Sequence, residues 1–130
     1  MPAYPPIEYG EASPEVRAVY DDIMATRRVP VVNNFWKALA HDPVTLRRTW
    51  ESIKQTMASG ALDPLVKELI YVAVSVTNGC EYCIASHTAA ARQAGMTPAM
   101  FGELMAVVGM ANETNRLVAG YRVEVDEHLR

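Results

Sequence analysis

The sequence predicts an all-α domain, and three features carry that prediction. A capping residue followed by proline recurs at Ser13-Pro14, Asp42-Pro43, Asp63-Pro64 and Thr97-Pro98. Each pair places a side-chain acceptor at a helix N-cap and proline at the first helical position, where its missing N–H removes no bond and its fixed φ suits the turn. Gly60 and Gly95 fall where helices should stop, because glycine tolerates the left-handed conformation just past a helix end. Strand alternation is absent: the β-branched run Tyr71–Val76 continues a helix that begins at the Asp63-Pro64 cap.

The elements follow in order. Residues 1–12 hold three of the eight prolines and read as an extended arm, either a frayed terminus or a segment that docks on a neighbouring subunit. Helices are expected over 14–26, 33–41 and 43–59, anchored by Phe35, Trp36 and Trp50, with His41 as a cation at a helix C-terminus. A helix over 64–77 is apolar nearly all round in its last two turns, which marks a buried helix. After the short break Thr77-Asn78-Gly79 comes a helix over 81–94. Helices over 98–110 and 113–127 complete the chain. The first is punctuated by Met100, Met105 and Met110 as adaptable filler, and the second is amphipathic, with an apolar side suited to another protomer. One domain is expected over residues 1–130, its chemistry concentrated in 60–110.

Bulk properties exclude several classes. A net charge of −3 and a pI near 5.6 leave no basic footprint for nucleic acid. No apolar run approaches the roughly 20 residues that cross a bilayer. The N-terminus lacks the basic and apolar regions of a secretory signal, so a cytoplasmic address is expected. Thiols are kept reduced there, and a close cysteine pair points to redox or metal chemistry rather than to a structural staple.

That pair lies in "CEYCIASH", residues 80–87, which holds both cysteines of the chain and one of its three histidines. On a helical wheel at about 100° per residue, Cys80, Cys83 and His87 fall within about 60° of one another. They share this stripe with Ala90, Ala91 and Ala94, while Glu81, Thr88 and Arg92 lie opposite. The stripe of small residues is the one that should meet another helix, and the preceding helix brings Glu68 with it through a tight antiparallel turn. Three influences lower a thiol pKa from about 8.5: a helix N-terminus, a nearby imidazolium and a C-x-x-C arrangement. His87, four residues beyond Cys83, is placed as a base for that sulfur, and a carboxylate behind it would orient the ring. Cys80 is placed to resolve a sulfenic acid on Cys83 as a disulfide. Against this, Cys80 is the sulfur nearer the helix start.

Glu68, eleven intervening residues, then Cys80-x-x-Cys83-x-x-x-His87 resembles the signature of the alkylhydroperoxidase D (AhpD)-like family, within the carboxymuconolactone decarboxylase superfamily. The flanking "KELIYVAVSVTNGCEYCIASHTAAARQAGMT" is similar in texture, and the resemblance spans roughly residues 60–110. It implies an all-helical fold, with an antiparallel helix pair carrying the C-x-x-C motif, that assembles into trimers or hexamers. It also implies a hydroperoxide reductase, free of cofactor and metal, in which Cys83 attacks the peroxide, Cys80 resolves, and Glu68 with His87 relays protons. A lipoyl-bearing partner supplies reducing equivalents in the defining members. One position departs. The family's namesake carries histidine immediately before its second cysteine, whereas this chain has Tyr82, and a phenol ionises only near pH ~10. Tyr82 is left an auxiliary, hydrogen-bonding role. The decarboxylase branch does not depend on a cysteine pair, and this chain looks unlike it.

Two other readings of the motif stand beside the redox one, and two are excluded. C-x₂-C with His87 and a carboxylate could make a zinc site, though no second half-site follows. The cysteines could be inert core residues. Covalent haem would require histidine where Ile84 stands, and a thioredoxin domain lacks its βαβ context here. As to function, a hydroperoxide reductase is set against a redox-sensing or assembly protein whose dithiol closes without useful turnover.

Overall fold

The computed structural model describes residues 1–130 and contains helices and turns but no strand. Six α-helices run in order: α1 Pro14–Arg27, α2 Asn34–Leu39, α3 Pro43–Met57, α4 Pro64–Asn78, α5 Glu81–Gln93 and α6 Pro98–Tyr121. Single 3₁₀ turns stand at Tyr9–Glu11 and Glu127–Leu129. No helix is long and apolar enough to cross a membrane. The chain forms two compact units, Met1–Ala58 and Ser59–Arg130.

All four cap-proline pairs act as the sequence predicts. Ser13, Asp42, Asp63 and Thr97 each accept from backbone N–H groups of the turn that follows, with proline at its start. These groups have no partner inside the helix, so each cap satisfies a donor that water would otherwise have to meet. Asp63 Oδ1 takes the Val66 N–H at 2.9 Å and so fixes the entry of the helix that holds Glu68. Replacing Asp63 with Ala is expected to cost about 1 kcal/mol of stability, read as a lower urea midpoint at unchanged m-value.

In the first unit, α1 and α2 both meet α3 around a core of Val16, Val19, Tyr20, Ile23, Trp36, Leu46 and Trp50. Trp36 and Trp50 meet edge-on, with centroids 5.5 Å apart, and Phe35 stays partly in solvent. The Trp50 indole N–H donates to Asp22 at 2.6 Å, and Lys54 Nζ reaches the same oxygen at 2.7 Å. The Lys54 ammonium, then the indole N–H, hold the Asp22 carboxyl below its usual range. Residues 5–8 lie along α1 and α2. Ile7 N donates to Lys37 O at 3.2 Å, and the Tyr20 hydroxyl donates to Ile7 O at 2.8 Å. Burial, then the nearby Glu8 carboxylate, push the Tyr20 phenol up to about 12, so it stays a donor throughout the neutral range. His41 Nε2 meets the Pro5 carbonyl at 2.7 Å.

The second unit is built on α4, which contacts both α5 and α6. Gly79, at φ +69°, closes α4 in a Schellman arrangement. Cys80 N donates to Ser75 O at 3.0 Å and Gly79 N to Val76 O at 3.2 Å. Gly95, at φ +110°, closes α5 in the same way, with Met96 N on Ala91 O and Gly95 N on Arg92 O.

Four expectations need correction. Gly60 does not stop α3, which ends at Met57 with Ala58 in extended conformation, so the glycine lies in the loop beyond. The α2 helix is confined to Asn34–Leu39, inside the expected 33–41. The helices expected over 98–110 and 113–127 are one helix that ends at Tyr121. Asn112 does not interrupt it: its amide donates to Val108 O at 2.8 Å within α6 and to the Thr77 hydroxyl of α4 at 3.0 Å. Nor is α4 buried all round, since Val72 and Ser75 are buried whereas Ile70 and Val74 are half-exposed. In α6, Val107, Met110, Leu117, Val118 and Tyr121 leave an exposed apolar stripe along one side.

Candidate active site

The site is assembled from two helices joined by two residues. After Gly79 turns the chain, α5 runs back along α4, so a residue in the first half of α4 faces one midway along α5. Glu68, one turn into α4, meets His87 in this way. Its Oε2 stands 2.7 Å from His87 Nδ1, and both side chains are largely withdrawn from water, at 16% and 12% exposed. A carboxylate has acceptors only, so opposite an ionised Glu68 the hydrogen sits on Nδ1, and in the neutral imidazole Nε2 keeps its lone pair.

Cys80 and Cys83 are joined as a disulfide at the start of α5, their Cα atoms 5.3 Å apart. Cys80 is the N-cap residue of α5, and its sulfur accepts the Cys83 backbone N–H at 3.3 Å. Sulfur here replaces the oxygen that usually caps a helix. In the reduced protein the same N–H and the positive helix end favour negative charge at Cys80. His87 stands one turn beyond Cys83, on the same helix. Most of the stripe expected to meet another helix is withdrawn from water: Ala91 is fully buried, and Cys80, Cys83, His87 and Ala90 are half-buried, whereas Ala94, just past the end of α5, is exposed. Glu81 and Arg92 are exposed on the opposite side, as the wheel predicts. Thr88 departs from that prediction, since its hydroxyl is buried with no hydrogen-bond partner. Tyr82 lies in the first turn of α5 with its side chain substantially exposed.

Sequence reasoning missed Tyr71. It lies on a polar arc of α4 and draws no attention there, yet its ring stacks on the His87 imidazole at 3.5 Å between centroids and 18° between planes. The available signal was its place three residues after Glu68, which puts both on one side of α4.

The arrangement joins a dithiol–disulfide pair at a helix N-terminus to an imidazole one turn away, with a carboxylate fixing the imidazole's tautomer. It can exchange two electrons at sulfur and move a proton at Nε2. Residues 43–123 match the sequence profile of the carboxymuconolactone decarboxylase family. The chain is also similar to a solved structure, that of the alkylhydroperoxidase AhpD core from Rhodospirillum rubrum ATCC 11170. The two share 56% sequence identity over 89% of this chain and 86% of the other, with a TM-score of 0.87. No curated protein matches the chain. The fold is therefore AhpD-like, and the chain belongs to the carboxymuconolactone decarboxylase family.

Proposed function

We propose that this chain is a thiol-dependent hydroperoxide reductase acting through Cys80 and Cys83, with Glu68 and His87 as its proton relay. The single observation that carries the reading is the Glu68–His87 hydrogen bond, placed one turn from a cysteine pair that closes as a disulfide. In the cycle, the Cys83 thiolate attacks the distal oxygen of ROOH. The O–O bond breaks, Cys83 becomes a sulfenic acid, and ROH leaves with a proton. Cys80 then displaces the sulfenic oxygen as water, forming the disulfide. An external dithiol reduces that disulfide by thiol–disulfide exchange and is itself oxidised. His87 Nε2 takes the thiol proton at the first step and returns one to the departing oxygen. Glu68 keeps Nδ1 protonated and stabilises the imidazolium that forms.

The partners proposed are a hydroperoxide, a dithiol such as a lipoyl group, and further copies of the chain. The exposed apolar stripe of α6 supports self-association, because patches of that kind mark contact surfaces. A redox sensor on the same scaffold is the second reading, and it is favoured by Tyr82 at the position where the family's namesake has histidine.

Steady-state peroxide consumption with dihydrolipoamide separates the two. An enzyme continues through many equivalents of peroxide, whereas a sensor stops after one. Mass spectrometry should find a two-dalton loss on one peptide containing both thiols. If instead the chain consumes a single equivalent however much dithiol is present, the enzyme reading fails. Within the enzyme reading, Glu68→Gln is expected to lower kcat/KM by roughly 10²-fold. The amide can offer Nδ1 an acceptor but cannot stabilise the imidazolium.

A further inference from the structure

We infer that Tyr71 is a positioning residue for His87, holding the plane of the imidazole while Glu68 holds its Nδ1 edge. A hydrogen bond at one ring nitrogen fixes a distance and a direction, but it leaves the ring free to rock about the bond and about χ2. The 2.7 Å contact to Glu68 therefore does not by itself aim Nε2. The Tyr71 ring supplies what is missing. It lies nearly parallel to the imidazole, at 18°, with centroids 3.5 Å apart, so rotation of the imidazole out of its plane drives it into the phenol face. Both constraints come from α4, three residues apart on one side of the helix, so they move as a single rigid clamp.

The rest of that helix is built to keep the clamp still. Ser75, one turn beyond Tyr71, is buried and donates its hydroxyl to the Tyr71 carbonyl at 2.7 Å. Val72, next to Tyr71, is also fully buried. With Nδ1 on the carboxylate and the ring plane held by the phenol face, α4 determines where Nε2 points. That nitrogen is the one left for proton exchange. The contact is face to face, so the aromatic ring of residue 71 matters here and its hydroxyl does not. In the catalytic cycle this inference rests on the peroxidase reading; as an account of the imidazole's orientation it does not.

The test uses the full chain in its disulfide form, labelled with ¹⁵N-histidine, as wild type, Tyr71→Phe and Tyr71→Leu. Long-range ¹⁵N–¹H spectra of His87 should show one Nδ1–H tautomer in wild type and in Tyr71→Phe. In Tyr71→Leu that tautomer, which Glu68 sets, should persist, while the Nε2 and ring C–H signals broaden as the imidazole rocks. Dithiol-driven peroxide turnover should fall about 10- to 100-fold in Tyr71→Leu and stay within about twofold in Tyr71→Phe, the range expected when a catalytic group is mis-aimed. If Tyr71→Leu does not fold, Tyr71→Met, which keeps the length without the ring, takes its place with the same readouts. A folded Leu or Met variant with an unchanged His87 spectrum overturns the inference. So does a Tyr71→Phe variant that loses as much as Tyr71→Leu, because the hydroxyl would then be what matters. If no protein turns over peroxide, wild type included, the peroxidase reading falls alone and the spectra still decide the positioning.

Discussion

Cys83→Ser is expected to consume no hydroperoxide, a loss of at least ~10³-fold, while Cys80→Ser is expected to react once and stop. The difference follows from which sulfur carries the sulfenic acid. A serine hydroxyl is not ionised at neutral pH, and its oxygen attacks a peroxide O–O bond far less readily than a thiolate does, so Cys83→Ser removes the first step. Removing Cys80 leaves that step intact but removes the group that expels water. The chain should then hold a sulfenic acid on Cys83, trappable by a 1,3-dione reagent and visible by mass.

The structure makes this pair of variants decisive, because it also supplies an argument for the opposite order. Cys80 caps α5 and its sulfur accepts the Cys83 N–H, which favours a thiolate at Cys80. His87 is one turn from Cys83, which favours proton removal there. If Cys83→Ser keeps single-turnover reactivity and Cys80→Ser loses it, the capped sulfur is the nucleophile and the roles are exchanged. Either result can be read without concern for the fold. The disulfide closes a loop of only four residues, and its removal is expected to cost no more than about 2 kcal/mol.

The parts of this fold that were legible in the sequence are those set by neighbours along the chain. Ser13, Asp42, Asp63 and Thr97 mark helix starts because a cap needs only the three residues that follow it, and Gly95 marks an end for the same reason. Gly60 misled because a helix can stop before its glycine arrives, and nothing local distinguishes a glycine at the cap from one in the loop. The continuity of α6 through Asn112 was hidden because the partner of that amide, Thr77, is 35 residues away. The candidate site divides along the same line. The spacing of Cys80, Cys83 and His87 can be counted. Whether Glu68 meets His87, and that Tyr71 lies against it, depends on how one helix is rotated against another. Glu68 and Tyr71, three residues apart, share a side of α4, but their spacing does not say which residue of α5 that side meets.

Trp36→Ala is expected to destabilise the first unit by about 3–5 kcal/mol, and Phe35→Ala by no more than about 1 kcal/mol. The two aromatics are consecutive on a helix of six residues, so propensity, charge and position along α2 barely distinguish them. What differs is burial: Trp36 is 2% exposed and Phe35 is 41% exposed. Trp36 also makes the edge-on contact with Trp50 that joins α2 to α3, and the Arg27 guanidinium of α1 lies 5.4 Å from the Trp36 ring and 5.3 Å from that of Trp50. Truncating Trp36 removes the element around which three helices converge and leaves a void that α2, with fewer than two full turns, has little means to fill. Truncating Phe35 returns to water a ring that is already partly there. Against a typical total of 5–15 kcal/mol for a domain, the first loss is a large fraction and the second is minor. Urea unfolding of both variants, followed by far-UV circular dichroism so that the lost tryptophan does not bias the signal, checks the contrast. Equal losses would mean that the two rings share one environment, and that the core of the first unit is not organised around the Trp36–Trp50 pair.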